Sequence, residues 1–329
     1  MTQNRHFLPM KIGLLLYPDC IPSGLFAFSD LLLAANLRMG TSLFEWCWLS
    51  EKGKPVTCAN GMELTASKLE SADVDALLIP GAWRDQSSIH TPKDESLIRA
   101  LQALVASSDN NQGKRTAILS YCTGVYLAAR SGGLNQQTAT TTWWLLDTIR
   151  EQFPSVQWQL NRTFVIDEGN ATAAGVNGHL PIALSLIEQH CGKQIANDIQ
   201  QYMVLPRPVE RNTPFQELPK LIQKDPFIRD VFHWVEQTPY THLKTAALAE
   251  HLHVTQRTLS RKIVNTTGYN SAQLMRLIKL NQISEQLIST NKPIYRISDE
   301  MGFADDTSLR RSFKRITNMT PGEYRRSFG

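Results

Sequence analysis

The chain has 329 residues, of which 42% are hydrophobic and 19% charged; these values are ordinary for a soluble globular protein, and the length favours two domains. No apolar run approaches the length that spans a bilayer, and the five cysteines include no Cys-x-x-Cys pair, so we expect a cytoplasmic protein with no membrane contact, no metal and no cofactor. The net charge of +4 is uneven, because residues 213–329 hold 17 Lys and Arg against 11 Asp and Glu, and this basic part suggests a polyanionic partner.

Apolar strands alternate with amphipathic helices through residues 1–205. The pattern predicts strands over 11–17, 44–49, 76–79 and 116–120, helices over 26–38, 96–107, 124–130 and 180–191, and a hairpin over 164–174. Such alternation is typical of an α/β domain with a mostly parallel sheet covered on both faces, and we expect the doubly wound, flavodoxin-like form. Four prolines then interrupt residues 206–225, which we interpret as a linker. The remaining residues, 226–329, are predicted to be helical.

A helix-turn-helix pattern first occurs in residues 243–264. Leu248 and Leu252 lie four residues apart on one helix face, and Val254 falls in the turn. Thr255 can cap a second helix, on which Leu259 and Ile263 are again four apart. Two short helices joined by a tight turn form this motif.

The same pattern returns about fifty residues later, in residues 293–316. Leu309 and Phe313 occupy the positions of Leu259 and Ile263, and Asp305 is the predicted cap. Gly268 and Asn318 are the residue types that end a helix in the left-handed conformation, and a capping box begins at Thr320. An amphipathic helix over residues 273–289 separates the two units. The matched signals indicate a duplicated motif.

These residues resemble the DNA-binding domain of the AraC/XylS family over about residues 226–329, most specifically in MGFADDTSLRRSFKRITNMTPGEYR. The resemblance implies recognition helices over 255–264 and 306–316 that enter successive major-groove segments of double-stranded DNA. The DNA-binding candidates on the outward faces of these helices are Gln256, Arg257, Ser260, Arg261, Thr307, Ser308, Arg311 and Lys314. Among them the resemblance favours Arg257, Arg261, Thr307, Ser308 and Arg311 as base contacts. Five further cations are expected to meet phosphate or solvent: Lys262, Arg276, Lys279, Arg310 and Arg315. The alternative is that these charges form a solvated helix face.

Two features depart from that family. His253 stands in the first turn, where the family often has glycine. Asp305 and Asp306 place negative charge at the start of the second recognition helix, where it favours the helix but would repel phosphate. Asp306 could accept a hydrogen bond from a cytosine amino group, or it could simply cap.

A nucleophile elbow is predicted in the N-terminal domain, where the strand RTAILS enters Tyr121-Cys122-Thr123-Gly124 and then a helix. The segments LLYPDCIPSGLFAFSDLLLAAN, LLIPGAW, ILSYCTGVYLAARSGGLNQQTATTTWW and TAAGVNGHLPIALSLIEQHCG resemble the PfpI and glutamine-amidotransferase-like superfamily, and more closely its GlxA-like regulators. That superfamily usually has a histidine where this chain has Thr142, and an acid near Ser23 or Gly24. Because threonine cannot act as a base near neutral pH, we expect no catalytic residues and no enzyme activity.

A ligand pocket in this domain is also implied by the resemblance. Its candidate residues are Trp83, Cys122, Thr123, Thr142 and Trp143. Cys122 could line the pocket, sense oxidants or be a plain buried thiol. Trp83, Trp143 and Trp144 could form an aromatic cage for a cationic effector, an amine or amino-acid derivative, or could fill the core. His179 is expected to be a surface or packing residue.

The sequence therefore predicts a transcriptional regulator that binds specific DNA and responds to a small molecule. Its expected partners are double-stranded DNA, an effector and a second copy of the chain, with RNA polymerase as a candidate, and the bound protein would associate with the nucleoid. A cysteine hydrolase or amidase with a DNA-binding appendage is the main rival. A non-specific nucleic-acid binder is a second rival, against which the duplicated motif argues.

Overall fold

A computed structural model describes residues 8–84, 88–89, 94–110, 115–159, 162–206, 215, 218, 221–222 and 225–329. The chain divides into two units, residues 1–211 and 212–329, and the division falls within the predicted linker. No helix among the described residues combines the length and apolar character that crossing a bilayer demands.

The N-terminal unit is built around a seven-stranded sheet. Its strands and those of two small satellite sheets are β1 (Met10–Leu16), β2 (Phe44–Ser50), β3 (Val56–Thr57), β4 (Glu63–Leu64), β5 (Ser67–Lys68), β6 (Ala76–Ile79), β7 (Ala117–Tyr121), β8 (Thr138–Ala139), β9 (Gln157–Trp158), β10 (Phe164–Asp167) and β11 (Asn170–Ala173). The order in the main sheet is β10-β11-β7-β6-β1-β2-β5, and only β10 runs antiparallel to its neighbour. The predicted fold class is confirmed.

Helices cover this sheet. They are α1 (Ser23–Met39), α2 (Glu95–Asn110), α3 (Gly124–Arg130), α4 (Leu146–Gln152), α5 (His179–Cys191) and α6 (Lys193–Tyr202). Helix α1 packs against α5 and α6, whereas α2 packs against α3. The chain leaves β1 towards β2 and leaves β6 in the opposite direction, towards β7, so right-handed crossovers place α1 and α2 on opposite faces.

The central position of β1 follows from its composition. Ile12, Leu14 and Leu15 are fully buried, as expected for a parallel strand that is covered on both faces. Strand order reverses between β1 and β6, and ligands of open α/β sheets bind in the crevice at the carboxyl ends of such strands. The loops that follow β1 and β6 therefore border the position at which open α/β sheets bind ligands.

The C-terminal unit is helical. Its helices are α7 (Pro226–Gln237), α8 (Thr245–His251), α9 (Gln256–Thr267), α10 (Ser271–Ser289), α11 (Ile294–Glu300), α12 (Asp306–Thr317) and α13 (Pro321–Phe328). Leu274, Ile278 and Ile283 of α10 are buried in the core that the other helices share.

The linker prediction for residues 206–225 is wrong in its second half. Phe215, Leu218 and Leu221 are buried in the core of the C-terminal unit, and the Phe215 ring lies 6.3 Å from that of Phe313. These apolar side chains are three residues apart in sequence, a spacing that fits a helix, although the neighbouring prolines oppose one. Residues 207–214 of the predicted linker lie outside the described residues.

Candidate nucleic-acid interface and ligand crevice

Two helix-turn-helix units are present, formed by α8 with α9 and by α11 with α12. The first helix of each ends in the same way: His253 at φ +52° and Gly302 at φ +73° both adopt the left-handed conformation. Their backbone N–H groups donate to Glu250 and Asp299, each at 3.0 Å. These turns lie 49 residues apart, and Ala304 is the extra residue that makes the following helices 50 apart.

The recognition helices α9 and α12 begin and end alike. The Thr255 hydroxyl accepts a hydrogen bond from the Thr258 N–H at 3.2 Å, and the Asp305 carboxylate accepts one from the Ser308 N–H at 2.6 Å. Gly268 at φ +74° and Asn318 at φ +57° end the two helices. The predicted caps and stop signals are confirmed, and α9 extends three residues beyond the predicted bound, to Thr267.

The outward faces of these helices are polar and basic. The exposed residues are Gln256, Arg257 and Arg261 on α9 and Thr307, Arg311 and Lys314 on α12, whereas Ser260 and Ser308 are half-buried. The Ser260 hydroxyl lies 3.4 Å from that of Ser271 on α10, so it is turned partly inward. Among the described residues, none of the four cations on these faces forms an ion pair. Their charges remain available to an external anion.

Lys279 does not meet phosphate or solvent, and that prediction is wrong. Its side chain is 2% exposed. Its Nζ donates to the Glu236 carbonyl at 2.9 Å and to Gln282 Oε1 at 2.8 Å, which fastens α7 to α10. Burial lowers the pKa of this ammonium group to about 8.

Two other charges are used within the domain. The Lys262 Nζ lies 4.0 Å from the centre of the Phe227 ring. Asp306 pairs with Arg310 of the same helix at 3.0 Å, while Asp305 is the cap. The negative charge of Asp306 is therefore balanced one helical turn away.

Cys122 lies on a sharp turn between β7 and α3, with φ at +55°, as the elbow pattern predicts. Its N–H donates to the Ala173 carbonyl at 3.0 Å. The Thr123 hydroxyl accepts from the Ala82 N–H at 2.7 Å and donates to the Ala82 carbonyl at 3.1 Å. A Cβ on Gly124 would lie 2.4 Å from the Ile79 carbonyl oxygen, so only glycine lets the helix start this close to β6.

The surroundings of Cys122 do not favour a thiolate. Burial raises the pKa of the Cys122 thiol, which favours the uncharged form. Thr142 is buried, and its hydroxyl has no hydrogen-bond partner among the described residues. A Cβ on Gly24 would lie 2.4 Å from the Tyr121 hydroxyl, so an acidic side chain has no room at that position.

His179 is half-buried against Tyr121. The two rings meet edge to face with centres 5.8 Å apart, and His179 Nδ1 lies 3.2 Å from the Val176 carbonyl oxygen. Burial lowers the pKa of this imidazole. These contacts are those of the packing residue that we expected.

An open cavity of about 650 Å³ lies at the carboxyl ends of β1 and β2 and beside the loop that follows β6. Its lining includes the aromatic residues Tyr17 and Trp83 and six charged residues: Asp19, Glu51, Lys52, Lys54, Arg84 and Asp94. Of the five predicted pocket residues, Trp83 lines this cavity, whereas Cys122, Thr123, Thr142 and Trp143 are not part of its described lining.

One wall of the cavity is a buried ion pair. Both terminal nitrogens of Arg84 contact the Asp94 carboxylate, at 2.5 and 3.1 Å, and the guanidinium lies over the Tyr17 ring at 5.7 Å. Trp83 is 76% exposed at this cavity, whereas Trp144 packs against the cluster that contains Tyr126 and Leu145. Trp144 is half-buried and packs on this small cluster, and it is not part of the described lining of the cavity.

Comparison with known proteins agrees with this architecture. A family model described as a helix-turn-helix domain matches residues 248–327. The chain is similar to the HTH-type transcriptional regulators GbdR of Pseudomonas aeruginosa (24% identical over 98% of this chain and 85% of the relative), CdhR of the same species (27%, 94% and 90%) and GlxA of Rhizobium meliloti (25%, 97% and 96%). A crystal structure of an AraC family transcriptional regulator from Pseudomonas putida covers 59% of this chain and 100% of its own, with 22% identity and a TM-score of 0.50, and so shares the fold.

The sheet unit and the duplicated motif together define a two-domain DNA-binding protein. More particularly, residues 248–327 match a helix-turn-helix domain, and the chain as a whole is similar to HTH-type transcriptional regulators that include GlxA, in agreement with the sequence resemblance.

Proposed function

We propose that α9 and α12 bind specific bases in two successive major-groove segments on one face of the DNA. The observation that carries this proposal is the pair of equally capped helices, each presenting to solvent cations that form no ion pair with any described residue. The 19-residue helix α10 between the units spans about 28 Å. That length is comparable with one turn of the double helix, about 34 Å, which separates major-groove segments on one face.

Base readout would come chiefly from four side chains. Arg257, Arg261 and Arg311 can each donate two hydrogen bonds to guanine, and Gln256 can bond adenine in the same way. Thr307, Ser308 and Lys314 would add base or phosphate contacts at the start and along the face of α12. Ser260 would contribute least, because its hydroxyl is turned towards Ser271.

Selection of random duplex DNA by the purified full-length protein tests this proposal. We expect a motif with two preferred segments about one helical turn apart. Arg261→Ala should relax base preference in one segment and Arg311→Ala in the other, each by about 10- to 100-fold in discrimination. Arg326→Ala, which removes an exposed charge outside both recognition helices, is the matched control. Equal, steeply salt-dependent binding to all sequences would support the non-specific alternative.

We infer that the N-terminal unit binds an effector in the cavity beside Trp83. The cavity volume lies within the range of small-molecule sites, and its position matches the crevice rule for open sheets. Three acidic and three basic side chains line it, and an exposed tryptophan stands beside them. This balance favours an amine or amino-acid derivative that carries charges of both signs.

Calorimetric titration of the full-length protein with a panel of amino acids, amines and simple carboxylates tests this part. A binding member of the panel should lose at least about tenfold in affinity in both Trp83→Ala and Glu51→Gln. Trp143→Ala is the control, because Trp143 is not in the described lining. Binding that is lost only in Trp143→Ala would move the site to the elbow.

The elbow is proposed to be structural rather than catalytic. A raised thiol pKa and the threonine at the histidine position both oppose nucleophilic catalysis. Ester and amide hydrolysis by the wild type should not exceed that of Cys122→Ser. A clear excess would support the hydrolase alternative.

The remaining expectations follow from the DNA-binding role. The protein would act as a homodimer on cytoplasmic, nucleoid-associated DNA, and RNA polymerase is the candidate partner at promoters. A dimer would present four recognition helices and would match paired half-sites.

A further inference from the structure

Large apolar side chains are exposed together on one side of the N-terminal unit. Helices α1 and α6 pack against each other there, and the Arg38 guanidinium lies 5.0 Å from the centre of the Tyr202 ring. The exposed fractions are 74% for Leu37, 77% for Tyr202 and 87% for Val204, and Leu33, Met39 and Met203 are also exposed. We call these six residues the α1–α6 patch. A cluster of this kind usually marks an interaction surface.

Helix α1 contributes a continuous stripe to this patch. Leu33 and Leu37 are four residues apart and so project from the same side of the helix, with the half-buried Ala34 beside them. Asp30 stands one turn before this stripe and Arg38 stands at its end, and both are exposed. The stripe is therefore apolar in its middle, negative at one end and positive at the other.

That charge arrangement is complementary to itself. Consider two copies of α1 that pack antiparallel about a twofold axis at Ala34. Each residue then faces the residue of the other copy whose number, added to its own, gives 68. Asp30 of one copy then faces Arg38 of the other, and the same pair forms a second time by symmetry. The small Ala34 side chain at the crossing point lets the helices approach, and Leu33 and Leu37 fill the space on either side.

We propose that the α1–α6 patch is the interface through which two copies of this chain form an isologous dimer. The inference rests on the dimeric function proposed above and names its surface. Tyr202, Met203 and Val204 would extend the contact beyond α1, since α6 packs directly beside it. In a parallel pairing or a head-to-tail contact, Asp30 would not meet Arg38 in both halves.

Light scattering coupled to size-exclusion chromatography of the full-length protein tests the interface. The wild type should run as a dimer. Leu37→Glu should raise the dimer dissociation constant by about a hundredfold, because the twofold axis buries the new charge twice. Ile166→Glu, at an apolar residue of β10 that is 51% exposed, is the matched control and should stay dimeric.

Charge reversal makes the test independent of any folding defect. Asp30→Arg and Arg38→Asp should each yield monomer, because each places like charges opposite one another. The double variant should regain the dimer, because it restores both pairs with their signs exchanged. A dimer that persists in Leu37→Glu, or a double variant that stays monomeric while folded by circular dichroism, would overturn the proposal.

A wild type that runs as a monomer in this experiment would overturn the proposal. Loss of base preference in Arg261→Ala would be unaffected by that result. Failure of this interface is thereby distinguishable from failure of the proposed DNA-binding function.

Discussion

The turn of the second helix-turn-helix unit should tolerate no side chain at Gly302. This residue has φ at +73°, and a Cβ there would lie 2.5 Å from Pro239 Cβ and 3.1 Å from the Tyr240 backbone nitrogen. The turn is held against that segment by hydrogen bonds from the Tyr240 and Thr241 N–H groups to the carbonyls of Met301 and Gly302, at 2.9 and 3.1 Å. A methyl group must therefore push the two segments apart.

Two costs add up in Gly302→Ala. Left-handed backbone costs an alanine about 1–2 kcal/mol, and crowding of a packed contact costs about 1–3 kcal/mol. A loss of about 3 kcal/mol corresponds to about a hundredfold weaker protection of nearby amides. Hydrogen exchange of α12 in the full-length protein, followed by mass spectrometry, measures this loss directly.

His253→Ala is the matched control for this experiment. It places alanine at the equivalent turn with φ at +52°, on an exposed residue that already bears the backbone strain. We expect a change below about 0.5 kcal/mol in the first unit. If Gly302→Ala protected α12 as well as the wild type does, the contact with Pro239 would not constrain the turn, and the reasoning would be refuted.

Three further predictions follow from single contacts. The pKa of Lys279 is lowered to about 8 in the folded protein, so the unfolded state binds more protons above that pH and the free energy of unfolding should rise from about pH 8 towards pH 10. Urea titrations should show this rise in the wild type and not in Lys279→Met, and the same dependence of stability on pH in both proteins would contradict it. Because burial raises the pKa of the Cys122 thiol, its rate of alkylation by iodoacetamide should be low at pH 7 and should still increase above pH 9. A rate that reaches its plateau below pH 7 would indicate an activated thiolate. Thr255→Ala and Asp305→Ala should each lower the stability of the C-terminal unit by about 1 kcal/mol in urea titrations through loss of a helix cap, and unchanged midpoints would show that the caps carry little energy.

Local signals in the sequence were enough to locate the DNA-binding motif. The caps at Thr255 and Asp305 and the stops at Gly268 and Asn318 act through backbone groups only three or four residues away, so they can be recognised without tertiary context. The equivalence of His253 with Gly302 is less visible in sequence, because the inserted Ala304 shifts the register by one residue.

Contacts between distant segments could not be predicted in the same way. Lys279 is the same kind of residue as the exposed cations of the recognition helices, and only the packing of α7 on α10 brings its ammonium group to Glu236. The cavity beside Trp83 depends likewise on which strand ends are adjacent, and this adjacency brings Glu51 and Arg84 to its lining. Periodicity in a single segment carries neither kind of information.

Genome-wide mapping of bound DNA tests the central claim most directly, with the wild type compared against a double variant, Arg261→Ala with Arg311→Ala. Both arginines are exposed, lie 50 residues apart and make no ion pair among the described residues, so their removal should leave the fold intact. We expect sharp peaks that share a two-segment motif in the wild type and their loss in the variant. Peaks that persist unchanged in a folded variant would show that these two helices do not read the DNA.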